Sequence, residues 1–436
     1  MFSFLKRKYV IVALIIVCAV SGGYFVMSRG LVDDVVYKTP EEKDEYVRFA
    51  LEGFDSIKEN YWAKLEEANF ASHFQLSLQK AQNTINLPIL MTKDRAGVAQ
   101  MISTAVKNAT STDAKKALVL NLLNVALYNL EPVGRNGLLS KTQETEFRQD
   151  VANVDNNKDL YADLGLSKGA SEDEVKIAYE KKAKDLENND SPEAKAELEK
   201  LAYAKKVLAN PNTKDLYDEA KIEPTASTNI FGKTLYIKID RISPTTLIEF
   251  GRTVYSATTT PGLNSMIIDF RGNLGGALDF AQHFLGLFLG QNQYAFDLFH
   301  QGDYKVQRTA QPYFPELTRY KEIAVLTDEM TQSTAEVTSA AFKRFKLGTV
   351  IGKTTRGWGT VENTFPLKTV IDPKESYLLL LVHSITIRDD GEPIEGRGVD
   401  PHVDITKSSW KKDLQKYFNS QEFINTIEKI VENPPR

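Results

Sequence analysis

From residue 228 to about 408 the chain alternates short apolar runs with amphipathic stretches, and this alternation restricts the fold more than any other feature. "KTLYIKIDRI", "SMIIDF", "EIAVLTD", "GTVIG" and "SYLLLLVHSITI" read as strands. "PTTLIEFGRTVYSAT", "ALDFAQHFLGLFLG" and residues 334–346 read as helices between them. Strands that alternate with helices predict a layered α/β core. The chain has 436 residues and is 42% hydrophobic, enough apolar material for two or three domains of roughly 100–200 residues.

The region before this core is helical in character. Thr39, Pro40 and Glu42 form an N-cap, a first helical residue and a capping-box acid. Tyr46, Ala50, Phe54, Ile57 and Tyr61 then fall on one helical face. "AKKALVLNLLNVALYNL" is a second helix, followed by the loop "EPVGRNGLLS" and the short helix "KTQETEFRQDV". Residues 159–220 read as a separate helical unit, with a turn at Gly165–Gly169 and a helix capped by Ser171 and Glu174. "KIEPTASTN" reads as a polar linker, and "SQEFINTIEKIVE" as a closing helix. The expected divisions are 1–30, 31–154, 155–222, 228–408 and 409–436, in an α+β to α/β multidomain chain.

Lys6, Arg7 and Lys8 precede an uncharged run from Tyr9 to Met27. At about 1.5 Å per residue that run is long enough to cross a bilayer. The positive flank then stays cytoplasmic and the rest of the chain is exported, on the periplasmic or extracytoplasmic side. The alternative is a cleaved signal peptide with Ala19 and Ser21 at its small-residue site. Cys18 is the one cysteine, so no disulfide within the chain is possible. A net charge of −4 argues against nucleic acid. Five scattered histidines make no metal site, and no pattern calls for a cofactor.

Two strand-to-helix turns carry candidate chemistry. Arg271-Gly272-Asn273-Leu274-Gly275-Gly276 places glycine N–H groups at a helix start, where they face an anion such as a phosphate or the oxyanion of an acyl-transfer intermediate. A tight turn with no further role explains the same residues. In "TDEMTQSTAEVTSAAF", Ser333 stands where strand gives way to helix, a position that suits a nucleophile. A capping box formed by Ser333 and Glu336 accounts for both residues without chemistry.

Together the two turns resemble those of the C-terminal processing (tail-specific) serine proteases. "DFRGNLGG", Asp269 to Gly276, matches that family's oxyanion segment, and "TQSTAE", Thr331 to Glu336, its nucleophile motif. "GTVIGKTTRGWGTVEN", "IEGRGVDPHVDI", "ALEGFDSIKENYW" and "LEPVGRNGLLS" follow the family's other segments. The resemblance spans about residues 40–150 and 228–408. It implies a ClpP/crotonase-like peptidase core, Ser333 as nucleophile, and an oxyanion hole from Thr334 with Gly275 or Gly276. It also implies a lysine base, whose position falls on Trp358. Indole has no basic nitrogen and cannot act as a base. A related branch uses a histidine from the loop that here reads Glu131-Pro132-Val133, so that base is absent as well. Lys353 and His383 are the substitutes to consider, and Arg356 is a poor base.

Residues 159–220 resemble a J-domain through Tyr161, Leu164, Gly165, Ala178, Tyr179, Leu208, Pro211 and Tyr217. They stand where the protease family carries a PDZ domain. The family's His-Pro-Asp loop falls on Glu187, Asn188 and Asn189. Three functions follow as expectations. The first is an anchored, impaired serine peptidase acting on exported polypeptides. The second is an inactive pseudo-peptidase that binds polypeptide tails or a partner protease. The third, least favoured, is a membrane-tethered co-chaperone. The J-like unit offers a surface for a protein partner.

Overall fold

The computed structural model describes residues 37–155, 158–186, 189 and 191–435. The uncharged run expected to cross a membrane lies outside the described residues, as do Glu187 and Asn188. No helix among the described residues is long and apolar enough to span a bilayer.

Two sheets organise the described chain. The strands are β1 (Gly137–Ser140), β2 (Ala226–Phe231), β3 (Thr234–Ile239), β4 (Ser265–Asp269), β5 (Tyr294–His300), β6 (Asp303–Arg308), β7 (Glu322–Thr327), β8 (Thr349–Gly352), β9 (Thr360–Pro366), β10 (Tyr377–Thr386) and β11 (Val403–Asp404). The larger sheet runs β11-β8-β7-β4-β3-β2. It is parallel except for β2, which joins β3 antiparallel at the edge. Both faces are covered, which is why its inner strands read as unbroken apolar runs. Leu235, Ile237, Met266, Ile268 and Val325 pack against the helices Thr246–Ser256, Asp279–Leu289 and Thr334–Arg344. Tyr236, Ile267, Ala324 and Leu326 point the other way, onto the closing helix Gln421–Glu432. The period-two alternation of a strand thus serves two separate cores.

The smaller sheet pairs β10 with β1, β5 and β9, and β6 extends it as a hairpin with β5. Leu379 and Leu381 of β10 and Leu138 of β1 enter the core of the N-terminal helices. The first of these helices departs from expectation. Thr39 and Glu42 do form a capping box, but it closes a single 3-10 turn, Pro40–Lys43. A second cap, Asp44, then starts the helix Glu45–Asn60 by accepting from Tyr46 and Val47 N–H. The segment read as a polar linker is also a correction, because its second half is β2. Glu249 explains the start of that strand, accepting from the N–H groups of Thr225 (2.8 Å) and Ala226 (2.9 Å).

The J-like unit has its own small core of Leu160, Tyr161, Leu164, Val175, Leu201, Val207, Leu208 and Tyr217. Its two ends meet in an antiparallel bridge between Val154 and Ile222. Asn153 Nδ2 donates to the Glu223 carbonyl (2.9 Å), and Lys158 pairs with the Glu223 carboxylate (2.9 Å).

Candidate active site

Strand β7 ends in a turn, Asp328–Ser333, from which the helix Thr334–Arg344 departs. Ser333 sits at φ 57° and ψ −127°. A non-glycine residue there stores about 1–3 kcal/mol and persists only where its surroundings hold it. They do so here. Gln332 N–H donates to the Asn273 carbonyl (2.9 Å). Thr334 Oγ1 donates to the Gly276 carbonyl (2.8 Å), and Thr331 Oγ1 to the Phe270 carbonyl (2.8 Å). The two turns singled out in the sequence are therefore laced together. A Cβ on Gly275 would stand 2.5 Å from Ser333 Cβ, and one on Gly276 1.8 Å from the Ile242 carbonyl oxygen. Only glycine permits that approach.

The expected oxyanion donors are changed in one respect. Gly275 N–H donates to Asn273 Oδ1 (2.7 Å) inside its own turn and is already engaged. Gly276 and Thr334, the other two expected donors, line the same cavity as Ser333.

Beneath Ser333 lies Glu336, fully buried. Its Oε2 accepts from Ser333 N–H (2.8 Å) and Trp358 N–H (2.8 Å). Its Oε1 accepts from Gly357 N–H (2.7 Å) and the Thr355 hydroxyl (2.5 Å). Thr355 Oγ1 itself accepts from Val399 N–H, so its proton points at Glu336 (2.7 Å to Val399). Burial pushes the Glu336 carboxyl up, while these four donors pull it back. The expected capping box of Ser333 and Glu336 is present, and its acid also fastens the glycine turn to the serine turn.

Trp358 stands on that turn. Arg135 lies over its indole, with the guanidinium carbon 3.6 Å from the ring centroid. Arg135 is held by Glu395 (3.1 and 3.3 Å) and Thr360 Oγ1 (2.8 Å). The position on which the resemblance puts a base thus carries a cation–π stack tied to an ion pair. Gly357 and Gly359 are needed because Glu395–Gly398 crosses directly over them. A Cβ on Gly359 would lie 2.3 Å from Glu395 N, and one on Gly357 2.9 Å from Arg397 N.

Neither substitute base reaches Ser333. His383 Nδ1 meets Ser384 Oγ (2.8 Å), and its ring stacks on His300 at 4.2 Å. Burial first, then the neighbouring His300 and Lys305 charges, bring its pKa down to about 4. Lys353 is half-buried and pairs with Glu329 (2.9 Å). Among the described residues no side chain hydrogen-bonds the Ser333 hydroxyl.

A cavity of about 590 Å³ opens over this arrangement, lined by Gly276, Ser333, Thr334, Trp358 and Glu362 together with Arg135. Glu362 and Arg135 are additions to the residues expected from sequence. Burial pushes the Glu362 carboxyl up, and Thr360, the Arg135 charge and the Trp358 indole hold it down. Its only sequence signal is its place four residues after Trp358, and Arg135 lies two residues beyond Val133. A second cavity, about 510 Å³, lies between the J-like unit and β2 and contains none of these groups.

Residues 233–405 match the family model described as peptidase family S41, and residues 159–218 match the DnaJ domain. A probable CtpA-like serine protease of Staphylococcus aureus is 28% identical over 195 residues, 45% of this chain and 36% of that protein. The match thus spans little more than a third of the length of that curated relative. Among solved structures, a lipoprotein from Streptococcus agalactiae aligns at 14% identity and TM-score 0.43, over 90% of this chain and 99% of the other. The photosystem II D1 C-terminal processing protease aligns at 12% and 0.47, over 83% and 93%.

Proposed function

The chain belongs to peptidase family S41, the C-terminal processing proteases, with a DnaJ domain at residues 159–218, and from that premise we propose that it is a polypeptide-binding pseudo-peptidase. It holds exported polypeptide tails in the cavity over Ser333 and does not turn them over. The observation that carries this reading is the Arg135–Trp358 stack on the position where the resemblance puts the base, with no basic side chain among the described residues hydrogen-bonded to the Ser333 hydroxyl. A serine without a base is a weak nucleophile, so the strained turn and the backbone donors are left to bind a carbonyl or carboxylate. In this reading the run Tyr9–Met27 anchors the chain, the bulk lies on the exported side, and the DnaJ domain engages a protein partner. Asn189, in place of the last residue of the His-Pro-Asp loop, disfavours co-chaperone activity.

The test uses the full chain in detergent with an unfolded, fluorescently labelled casein. Binding without Ser333-dependent cleavage is expected, and Leu274→Asp at the cavity wall should weaken binding. Cleavage that disappears in Ser333→Ala would sink the pseudo-peptidase reading. One observation favours a second reading, an impaired peptidase. Glu362 lines the same cavity with a carboxyl whose proton affinity is raised by burial, as a general base requires. In that case slow Ser333-dependent cleavage is present and is lost in Glu362→Gln.

A further inference from the structure

We propose that the loop between the helices Glu67–Ala81 and Arg95–Asn108 is a membrane-contact surface that seats Ile85, Leu87, Ile89 and Met91 in the lipid interface. Their exposure is 94%, 51%, 77% and 73% in the same order. Isolated apolar residues on a surface need no explanation, but four on one short loop make a patch. Leu76, exposed on the preceding helix, extends it, because Gln79 one turn on donates to the Ile85 carbonyl (2.9 Å). The exposure is built rather than a product of looseness. Gln75 Nε2 holds the Pro88 carbonyl (2.7 Å), and Leu90 packs on the N-terminal core. The loop therefore has a fixed foot and an apolar tip.

A lipid surface is the occupant because of the segment that leads into the described chain. This rests on the anchor reading of Tyr9–Met27. Residues 28–36 separate that run from Tyr37, and at about 3.5 Å per residue they reach no more than roughly 30 Å. The described chain begins beside the loop's foot. Lys38 pairs with Asp55 (2.7 Å), and Asp55 and Glu42 are both held by Arg95 (2.7 Å each), the first residue after the loop and its cap. The anchor thus delivers this face of the molecule to the bilayer. Exposed Lys80 and Lys93 flank the apolar tip, which suits anionic headgroups. Side chains of this kind settle about 5–10 Å into the headgroup boundary.

The test places a polarity-sensitive dye on Ile89→Cys in the full chain carrying Cys18→Ser. The protein is reconstituted in vesicles of phosphatidylethanolamine and phosphatidylglycerol with doxyl-labelled acyl chains. A blue shift and loss of fluorescence are expected at position 89, and neither at an exposed core position, Tyr255→Cys. Equal signals at the two positions overturn the proposal. So does quenching that needs a second labelled copy, which would make the patch a self-association surface. Flotation separates the two readings. A chain that floats but shows no quenching at 89 refutes the loop alone, and one that does not float refutes the anchor and the loop together.

Discussion

Replacing Glu336 with glutamine should loosen the candidate site more than any other change of one atom. The carboxylate accepts four hydrogen bonds, two on each oxygen, and every partner is a donor. Glutamine keeps the shape but turns one oxygen into an NH2 group. Whichever way the amide lies, that group faces two donors. Either Ser333 and Trp358 N–H or Gly357 N–H and the Thr355 hydroxyl lose their acceptor. Hydrogen bonds to a charged group contribute about 1.5–3 kcal/mol each, so two lost bonds cost about 3–6 kcal/mol. Relief from burying a charge returns part of this, leaving a net loss of about 3 kcal/mol. For a domain of this size, that lowers the midpoint of unfolding by roughly 6–12 °C. Calorimetry on the full chain is the assay, with the transition of the α/β core followed separately because a multidomain chain does not unfold in one step. Binding of unfolded casein should weaken in parallel, since Ser333 and Trp358 lose their common tie. A midpoint shift of less than about 2 °C would refute the argument that Glu336 is held as an acceptor of four bonds.

Three further outcomes are expected. Trp358→Lys should create hydrolysis that vanishes in the Ser333→Ala double variant. Arg135 would stand beside the new amine and favour its free form, and no gain would place the defect beyond the missing base. Gly275→Ala should destabilise the core by about 2 kcal/mol through left-handed strain and overlap with Ser333, read by urea unfolding, with an unchanged midpoint as the contrary result. For His383, a folded pKa of about 4 lies below its ordinary 6.5, so its contribution to stability is whole above pH 6.5 and lost as pH falls towards 4. His383→Phe should flatten thermal stability across that window, and parallel profiles would contradict the assignment.

The parallel strands were legible because burial on both faces leaves a continuous apolar run, as in "SMIIDF" and "EIAVLTD". β2 was not, because an edge strand with exposed Asn229 and Ile230 has the composition of a linker. Thr39 forms the cap that its sequence predicts but does not start the long helix, since Asp44 caps again five residues later. At the site, local pattern placed Ser333 and showed that Trp358 is no base. It could not show Arg135 stacked on Trp358, a contact between residues over two hundred positions apart. His383 was ambiguous for a specific reason. The register of β10 against β9 slips between Val382 and Ser384, and such a bulge re-aims a side chain in a way alternation does not predict.

The bridge between Val154 and Ile222 makes the DnaJ domain a graft with a single small scar. Host and insert touch the chain's path at two residues held side by side, so the sequence between them is free to vary in length at little entropic expense. A chain in which a short turn replaces residues 155–221 should therefore retain the host fold, and the excised unit, closed by its own core, should be portable to other hosts that offer two adjacent strand ends.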